Sequence, residues 1–457
     1  MSNIIVGLDI GTTKIACFIG RKGENDKIEI LGYGKTESVG VERGVVKNIT
    51  FTADSIRKAV AEASNQANVD VDEVYVGIAG QHINSIQSQG SVMIPTDHRL
   101  ITEEDVKHLI EDQNSIMMQP GEEIIHIFPQ TFIVDNEPLS NEVSPVGVAG
   151  KCLKANFHII TGNTTNIQNI KYSVEDAGLK IKEIVLEPIA SAYAVLNDID
   201  KDAGVALVDI GGGTTDIAIF SQGIIRHTSV LPLAGNAITE DIRKGCSILK
   251  GQAESLKTKF GSCLPSNVSQ DDIVTIPGIR NQASREISMK TLAGIIKARV
   301  QVILEQIAYE IELSGYDKNL LAGIVLTGGG ARTKHIREFS ELITKTNTRI
   351  GSSNEHIENS PEELAHPMYA TGIGLVLYGI DMEEQSDKES PEETSADNTA
   401  SPIDIFADMG SSTEPKQSAQ TTDITIVKEP KNGFIKSVKN YFEKVLKENV
   451  DDDDDDL

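Results

Sequence analysis

Apolar residues along the first 380 positions form short unbroken runs that alternate with longer stretches of helical spacing. The strand-like runs are residues 4–10, 15–20, 74–79, 205–210, 217–220 and 322–327. The helical stretches are residues 53–67, 166–177, 187–197, 236–249 and 291–314. Strands that alternate with helices in this way predict an α/β fold.

A different pattern occupies the C-terminal end, where apolar side chains share one stripe of a helix. The stripe consists of Phe434, Ile435, Val438, Tyr441, Phe442, Val445 and Leu446, and the lysines beside it include Lys436 and Lys439. A helix over this stripe is roughly 20 Å long, which is too short to span a bilayer. The pattern therefore predicts a helix that lies in the membrane interface with its lysines toward anionic headgroups, and docking into a protein groove is the alternative.

The segment between body and tail, residues 381–430, is rich in Glu, Asp, Ser, Thr and Pro. This composition buries too little apolar area to offset the entropy of ordering, so it predicts a flexible linker. The net charge is −26, and residues 381–457 account for −13 of it through 21 acidic and 8 basic side chains. The body is thus also acidic, which argues against a nucleic-acid partner.

The N-terminus has no basic region ahead of its apolar stretch, and the four cysteines show no CxxC or metal-ligand spacing. These features indicate a cytosolic protein with reduced thiols and no signal peptide.

An internal repeat is the most informative feature of the sequence. Residues 8–16, LDIGTTKIA, recur as residues 208–218, VDIGGGTTDIA. Both copies place an Asp at the end of an apolar strand, then a glycine turn, two threonines and another apolar strand. The repeat predicts two related domains that each contribute one hairpin.

Glycine turns of this kind let backbone N–H groups approach an anion, and threonine hydroxyls add donors. Two such turns that face one another would hold the phosphates of a nucleotide from both sides; for either turn alone, a purely structural turn is the alternative. The candidate phosphate ligands are Gly11, Thr12, Thr13, Gly211, Gly212, Gly213, Thr214 and Thr215. Lys14 would supply positive charge to the β- and γ-phosphates, and Asp9 and Asp209 would hold Mg²⁺ directly or through water. A third cluster, Gly328, Gly329 and Gly330, follows an apolar strand and would admit a base or ribose.

These segments resemble, in order, the nucleotide-site motifs of the actin, Hsp70 and hexokinase superfamily. The first phosphate motif corresponds to residues 6–20, the first connecting helix to 187–192, the second phosphate motif to 205–220, the adenosine motif to 322–333 and the second connecting helix to 368–379. The resemblance implies an actin-like fold, with two pseudo-symmetric domains around a nucleotide cleft, and ATP with Mg²⁺ as cofactors. Small residues of the two connecting helices, among them Ala190 and Gly374, would let those helices cross closely.

The resemblance also implies roles for residues outside the turns. Glu187 takes the place of the residue that positions the attacking water, and a carboxylate at a helix N-terminus is the alternative. Glu254 and Lys257 would reach the ribose and base. Gly235 stands alone where relatives often have a pair of glycines, at a contact on the phosphate side.

Within the superfamily, the whole chain most resembles the FtsA family of bacterial division proteins. That resemblance divides the chain into subdomain 1A at 1–82 and 162–196, an inserted small α+β subdomain 1C at 83–161, domain 2 at 197–366 with subdomain 2B at about 236–310, and a return helix at 367–380. The disordered acidic linker 381–430, the amphipathic helix 431–450 and the acidic end 451–457 follow.

This family resemblance implies an ATP-binding, filament-forming adaptor, at most a weak ATPase, that tethers FtsZ to the inner face of the cytoplasmic membrane at the division site. The implied partners are the C-terminal peptide of FtsZ, further copies of the chain, the anionic membrane surface and later division proteins. Arg285, Lys290 and Arg299 are the candidate contacts of the FtsZ peptide. The alternatives are a pilus-assembly scaffold resembling PilM and a small-molecule kinase of the same superfamily, neither of which accounts for the C-terminal helix.

Overall fold

The computed structural model describes residues 4–23, 27–95, 100–140, 144–269, 271–278, 283–353, 356–358 and 361–389 of the 457-residue chain. Within these ranges no helix has the length and apolar character needed to cross a membrane. All four cysteines are free of disulfides. The predicted amphipathic helix 431–450, with its stripe and lysines, the acidic end 451–457, and residues 390–430 of the predicted linker lie outside the described residues.

The first domain is built on a six-stranded sheet with the strand order β11-β6-β1-β2-β3-β19. Its strands are β1 Ile4–Ile10, β2 Lys14–Lys22, β3 Ile28–Glu37, β6 Glu73–Ile78, β11 Lys180–Leu186 and β19 Ile357–Glu358. Its helices are α1 Ile49–Ala67, α3 Thr164–Asp176, α4 Glu187–Val195 and α10 Ala370–Glu389. A two-stranded hairpin, β4 Val41–Glu42 with β5 Val45–Val46, lies between β3 and α1.

The second domain repeats this plan in a five-stranded sheet with the order β14-β13-β12-β17-β18. Its strands are β12 Val205–Ile210, β13 Thr215–Ser221, β14 Ile224–Leu231, β17 Gly323–Thr327 and β18 Thr348–Ile350. In each sheet the first three strands are antiparallel neighbours, and the next two join in parallel on the side of the first strand. The shared topology confirms the predicted α/β fold of two pseudo-symmetric domains.

The remaining elements of the second domain are helices on its sheet and one strand pair. They are α5 Asp198–Ala203, α6 Gly235–Cys246, α7 Lys250–Phe260, β15 Ile273–Ile276, β16 Arg285–Ser288, α8 Met289–Ser314 and α9 Ile336–Thr344. Strand β12 is buried on both faces, because Leu207 belongs to the core of the first domain and Val208 to the core of the second. Burial on both faces explains why its sequence is an unbroken apolar run.

The insert, residues 83–163, is a four-stranded sheet with one helix and its own small core, as the predicted α+β subdomain requires. Its elements are β7 Ile83–Met93, α2 Glu103–Gln113, β8 Glu122–Val134, β9 Glu137–Pro138 and β10 Cys152–Asn163. Helix α2 begins with a capping box: the Asp105 N–H donates to the Thr102 side chain, and the Thr102 N–H donates to the Asp105 carboxylate. This arrangement satisfies N–H groups that have no partner inside the helix.

The insert contacts both domains. On the side of domain 1, His126 of β8 accepts a hydrogen bond from the Leu186 N–H at 3.1 Å. On the side of domain 2, the buried Gln130 side chain donates to the carbonyl oxygens of Ile225 and Arg226 at 2.9 and 3.0 Å. His158 of β10 lies 3.0 Å from the Thr228 hydroxyl on the same strand, β14. The insert therefore links the two halves of the molecule through polar contacts that are buried on the side of domain 2 and partly buried on the side of domain 1.

Helices α4 and α10 cross closely, as the small residues predict. A Cβ added to Gly374 would lie 1.7 Å from the Ala190 carbonyl oxygen, so any larger residue at Gly374 would force the helices apart. Gly372 has a different role, because a Cβ there would lie 2.4 Å from the Phe18 ring.

The predicted boundary of the linker at residue 381 is wrong, because α10 continues to Glu389. Its acidic extension has partners on the body that the composition does not reveal. Asp381 accepts from the Tyr193 hydroxyl at 2.9 Å, and Glu384 accepts from Lys22 at 2.6 Å.

Candidate functional site

The turn between β1 and β2 forms one side of the candidate site. The Gly11 N–H donates to the Lys14 carbonyl oxygen at 3.0 Å and closes the turn. Asp9, at the end of β1, is buried and accepts a hydrogen bond from Lys14 Nζ at 2.5 Å. Burial lowers the pKa of Lys14, but its attraction to Asp9, Glu187 and Asp209 outweighs burial, so that pKa is raised overall. Lys14 is therefore a stable cation surrounded by carboxylates.

The turn between β12 and β13, Gly211–Thr214, has the same geometry. Its first N–H donates to its last carbonyl oxygen at 2.9 Å, and Asp209 precedes it on β12 as Asp9 does on β1. The four residues correspond one for one to Gly11–Lys14. The second copy of the sequence repeat is two residues longer than the first, which implies a gap, but the two turns have the same length. The second turn thus has glycines where the first has threonines, and a threonine in the place of Lys14.

The two turns are in direct contact. A Cβ added to Gly212 would lie 2.6 Å from Cγ2 of Thr13, and one added to Gly213 would lie 2.5 Å from Oγ1 of Thr12. No side chain fits at either glycine while the turns keep this separation. The structure thus brings together the two glycine turns that the sequence predicts to face one another.

The four threonines predicted as phosphate ligands have different surroundings. Thr13 is exposed, whereas the Thr12 hydroxyl accepts from the Gly44 N–H at 3.0 Å. The Thr214 hydroxyl donates to Asp216 at 2.9 Å. Thr215 is fully buried and donates to the Leu233 carbonyl oxygen at 2.7 Å, so it supports the second turn from beneath.

Asp209 links the second turn to the crossing of α4 and α10. Its Oδ2 accepts from the Ser191 hydroxyl of α4 at 2.9 Å and from the Thr371 hydroxyl of α10 at 3.3 Å. Burial raises the pKa of Asp209 to about 6; these two hydrogen bonds oppose the rise and the charge of Asp9 adds to it.

Two further carboxyl groups complete the centre of the site, the buried Asp216 and the half-buried Glu187. Burial raises the pKa of Asp216 to about 8, and the nearby Asp209 adds to this rise. Burial also raises the pKa of Glu187 well above its usual value, and the charges of Asp9, Asp216 and Asp209 act in the same direction. The Oδ1 atom of Asp216 is buried and has no hydrogen-bond partner among the described residues. Such a group of carboxylates favours a bound cation, because a cation stabilises their ionised forms.

The three glycines after β17 differ in what surrounds them. A Cβ on Gly328, which has φ +82°, would lie 2.2 Å from Oδ1 of Asp209, and one on Gly330 would lie 2.4 Å from Cγ2 of Ile210. A Cβ on Gly329 would meet nothing within 4 Å. Gly328 and Gly330 are therefore required by packing against β12, whereas Gly329 faces open space.

The predicted base and ribose contacts lie where α6 and α7 meet. Lys257 Nζ donates to the Gly235 carbonyl oxygen at 2.9 Å and to the Thr239 hydroxyl at 2.8 Å, and it lies 2.8 Å from Glu254 Oε2. The Gly235 N–H donates to the Gly211 carbonyl oxygen at 3.1 Å, which joins the start of α6 to the second turn. This group is thus adjacent to the turns.

The structure adds residues that the sequence did not single out. Ser191 and Thr371 lie inside the two segments assigned to connecting helices, and Asp216 lies inside the repeat, so the motifs contained them without revealing their roles. The turn Arg43–Gly44 is also in contact with the site, and no local pattern marks it.

The candidate FtsZ contacts lie apart from the turns, on β16 and α8. Arg285 and Lys290 are exposed, and Arg285 donates to the Cys246 carbonyl oxygen at 3.1 Å. Arg299 forms a two-pronged ion pair with Asp241 at 2.6 and 3.1 Å, so its charge already has a partner.

Comparison with solved structures supports the fold. The PilM–PilN type IV pilus biogenesis complex matches with a TM-score of 0.60 at 16% identity, over 82% of this chain and 98% of that one. MreB5 of Spiroplasma citri bound to ADP matches with a TM-score of 0.50 at 16% identity, over 85% of this chain and 99% of that one. At this level of identity the matches show a common actin-like fold and nothing further.

Family and sequence comparisons are more specific. A sequence model of the cell division protein FtsA matches residues 206–374, one of the SHS2 domain inserted in FtsA matches residues 80–161, and one of Hsp70 matches residues 163–229. Cell division protein FtsA of Neisseria meningitidis is 40% identical over 81% of this chain and 88% of its own length. The FtsA proteins of Pseudomonas aeruginosa and Borreliella burgdorferi are 35% and 36% identical, over 84% and 82% of this chain and 90% and 91% of theirs. These relatives do not favour the pilus and kinase alternatives, and the chain belongs to the FtsA family of cell division proteins.

Proposed function

We propose that this protein is an ATP-binding, filament-forming adaptor that tethers FtsZ to the inner face of the cytoplasmic membrane. One observation carries the nucleotide part of the proposal: two equivalent glycine turns, one from each domain, touch beside Lys14 and a group of buried carboxylates. Backbone N–H groups from both turns, together with Lys14 of the first turn, suit the phosphates of a nucleotide. The solved MreB5 that shares the fold is bound to ADP, which supports an adenine nucleotide as the ligand.

Magnesium would accompany the nucleotide. The residues fit such an ion, because Asp9 and Asp209 are buried together and Asp216 Oδ1 has no hydrogen-bond partner among the described residues. No group of three His, Cys, Asp or Glu side chains in the described residues is arranged to hold a metal alone. Mg²⁺ commonly keeps several waters and takes nucleotide phosphates as ligands, so a carboxylate pair is sufficient. When bound, the ion would neutralise phosphate charge that would otherwise repel these carboxylates.

Hydrolysis would be slow. Glu187 begins α4 beside the carboxylate group and is the candidate for positioning a water. Burial and the charges of Asp9, Asp216 and Asp209 raise its pKa, and while the carboxyl group holds its proton it cannot accept one from water. A protein that binds ATP to stabilise one arrangement of its domains needs little turnover.

The surfaces proposed for partners are separate from the two glycine turns. The face formed by β16 and α8 would receive the C-terminal peptide of FtsZ, with Arg285 and Lys290 as its exposed cations and Arg299 held by Asp241. Residues 434–446 would attach the chain to anionic lipid, so that the protein is cytoplasmic and peripheral at the division site. Copies of the chain would polymerise and recruit later division proteins.

Sedimentation with lipid vesicles tests this proposal. The full chain and a chain that ends at Glu389, the last described residue of α10, are mixed with anionic vesicles with and without Mg–ATP. We expect only the full chain to pellet, and more of it with Mg–ATP, because assembly multiplies weak attachments. Val438→Glu places a charge on the apolar stripe and should abolish pelleting, whereas Asn440→Glu, on the opposite side of the helix, should reduce it less. If both chains bind ATP and neither pellets, the tail docks on a protein and the membrane role is wrong.

A further inference from the structure

The hairpin β4–β5 presents a two-residue turn, Arg43–Gly44, at the candidate site. Arg43 and Gly44 have φ angles of +47° and +75°, the conformation of a tight hairpin turn. At its base, the N–H groups of Lys47 and Asn48 donate to the Gly40 carbonyl oxygen at 2.7 and 3.1 Å. The base and the tight turn together fix the position of the tip.

The tip contacts both glycine turns at once. The Gly44 N–H donates to the Thr12 hydroxyl of the first turn at 3.0 Å. A Cβ added to Gly213 of the second turn would lie 2.9 Å from the Arg43 Cα. From behind, a Cβ on Gly44 would lie 2.6 Å from the Gly80 Cα, so the tip is enclosed where the two domains meet.

Arginine is an unexpected residue at this position. A positive φ favours glycine or asparagine, because a Cβ crowds the backbone there. The Arg43 side chain is exposed and has no hydrogen bond or ion pair with any described residue. Packing within the described part of the chain therefore gives no reason for a long cationic side chain here.

Charge at the site supplies a reason. Lys14 is bonded to Asp9 and attracted to Glu187 and Asp209, and Lys257 is paired with Glu254. A nucleoside triphosphate brings negative charge to a centre that already holds three buried carboxyl groups, Asp9, Asp209 and Asp216, beside the half-buried Glu187. Arg43 is a cation next to the turns that no described carboxylate neutralises, and a guanidinium binds phosphate oxygens in a two-pronged manner.

We propose that Arg43 binds the terminal phosphate of a nucleoside triphosphate held between the two turns, and so distinguishes the triphosphate from the diphosphate. This inference rests on the proposed nucleotide binding. The β4–β5 hairpin is then a third component of the phosphate site, beside the two glycine turns. Through its contacts with Thr12 and Gly213, the hairpin would couple binding of the terminal phosphate to both turns.

Equilibrium binding of Mg–ATP and Mg–ADP to the full chain tests the proposal. Arg43→Gly removes the charge and keeps the positive φ favourable, so the turn is retained. We expect it to weaken ATP binding about 10- to 100-fold, the loss of a charge-assisted hydrogen bond, and ADP binding much less. Arg43→Lys should restore part of the preference for ATP. Lys47→Ala, which removes an exposed cation from the base of the same hairpin, should leave both affinities unchanged.

The outcomes separate this inference from the proposed function. If Arg43→Gly leaves ATP affinity unchanged, or weakens ATP and ADP equally while the unfolding temperature without nucleotide stays at the wild-type value, Arg43 does not read the terminal phosphate and nucleotide binding stands. If the wild-type chain binds neither nucleotide, the proposed function and this inference are both overturned.

Discussion

The contact between the two glycine turns requires that Gly212 and Gly213 have no side chains. Both positions require glycine because the facing turn leaves no room for a Cβ. Backbone conformation is not the reason, since neither residue has a positive φ. The threonines of the first turn fill the room that these glycines leave. One turn therefore supplies hydroxyl groups and the other supplies close backbone approach.

Gly213→Ala should separate the turns. Its Cβ would lie 2.5 Å from Thr12 Oγ1 and 2.9 Å from the Arg43 Cα, so one of them must move. We expect ATP affinity to fall about tenfold or more, which corresponds to about 1.4 kcal/mol. Gly251→Ala is the matched control, because a Cβ at that position on α7 meets nothing within 4 Å. Unchanged ATP affinity in Gly213→Ala would mean that the observed contact does not matter for binding.

At the scale of elements, the crossing of α4 and α10 holds the carboxylate Asp209 in place. Ser191 of α4 and Thr371 of α10 lie 3.0 Å apart and both donate to Asp209 in the end of β12. One crossing thus fixes two helices and one strand end relative to each other. Its geometry depends on Gly374, where no Cβ can be accommodated.

Gly374→Ala should be strongly destabilising. The added Cβ would lie 1.7 Å from the Ala190 carbonyl oxygen, which is backbone and cannot rotate away. We expect the free energy of unfolding to fall by about 3 kcal/mol or more, measured by denaturant titration. Gly294→Ala, inside α8 where a Cβ meets nothing, should instead raise it by about 0.5–1 kcal/mol. Equal stability of the two variants would show that the helices can separate at little cost.

The sequence predicts the central elements better than the peripheral ones, for a physical reason. Strands such as β1 and β12 are buried along their length, so their apolar runs are unbroken. Strand β7 of the insert alternates buried or half-buried positions with exposed ones, and its sequence INSIQSQGSVM gives no such run. Family resemblance alone therefore predicts the insert.

The candidate site likewise contains some residues that the sequence predicts and others that it does not. Glycines and aspartates of the two turns are adjacent in sequence, so their pattern is visible. Other contacts join residues that are distant in sequence and meet only in the folded chain. Gly44 contacts Thr12 in this way, and two acidic residues of α10 contact Lys22 and Tyr193. Contacts between distant residues leave no local signal in one sequence.

At the scale of the molecule, His158 lies where the insert meets domain 2. Its ring nitrogens lie 3.1 Å from the Gln87 amide and 3.0 Å from the Thr228 hydroxyl. Burial, and secondarily the nearby His227, lowers the pKa of His158 from 6.5 to about 4. The folded protein therefore keeps this ring neutral at a pH where the unfolded chain would protonate it.

This difference predicts a loss of stability in acid. The contribution of the neutral His158 to the free energy of unfolding is complete above pH 6.5. It is lost as the pH falls toward 4, at up to about 1.4 kcal/mol per pH unit. His158→Gln keeps a hydrogen-bonding side chain without the charge, so urea midpoints between pH 7 and 4.5 should fall less steeply than in the wild type. His108→Gln, at an exposed position of α2, should follow the wild type. An identical decline in all three proteins would place the acid sensitivity elsewhere.

The double attachment of the insert has a thermodynamic consequence. Its His126 holds the backbone N–H immediately before Glu187, and its Gln130 and His158 hold β14 of the other domain. ATP bound between the domains would thus favour one relative position of the two halves. A protein bound to the insert would favour that same position or oppose it. Linkage then makes the effect reciprocal: whatever factor ATP adds to the affinity of the insert for such a protein, that protein adds to the affinity for ATP. If the protein on the insert is a further copy of this chain, assembly itself would act as the effector that retains the nucleotide.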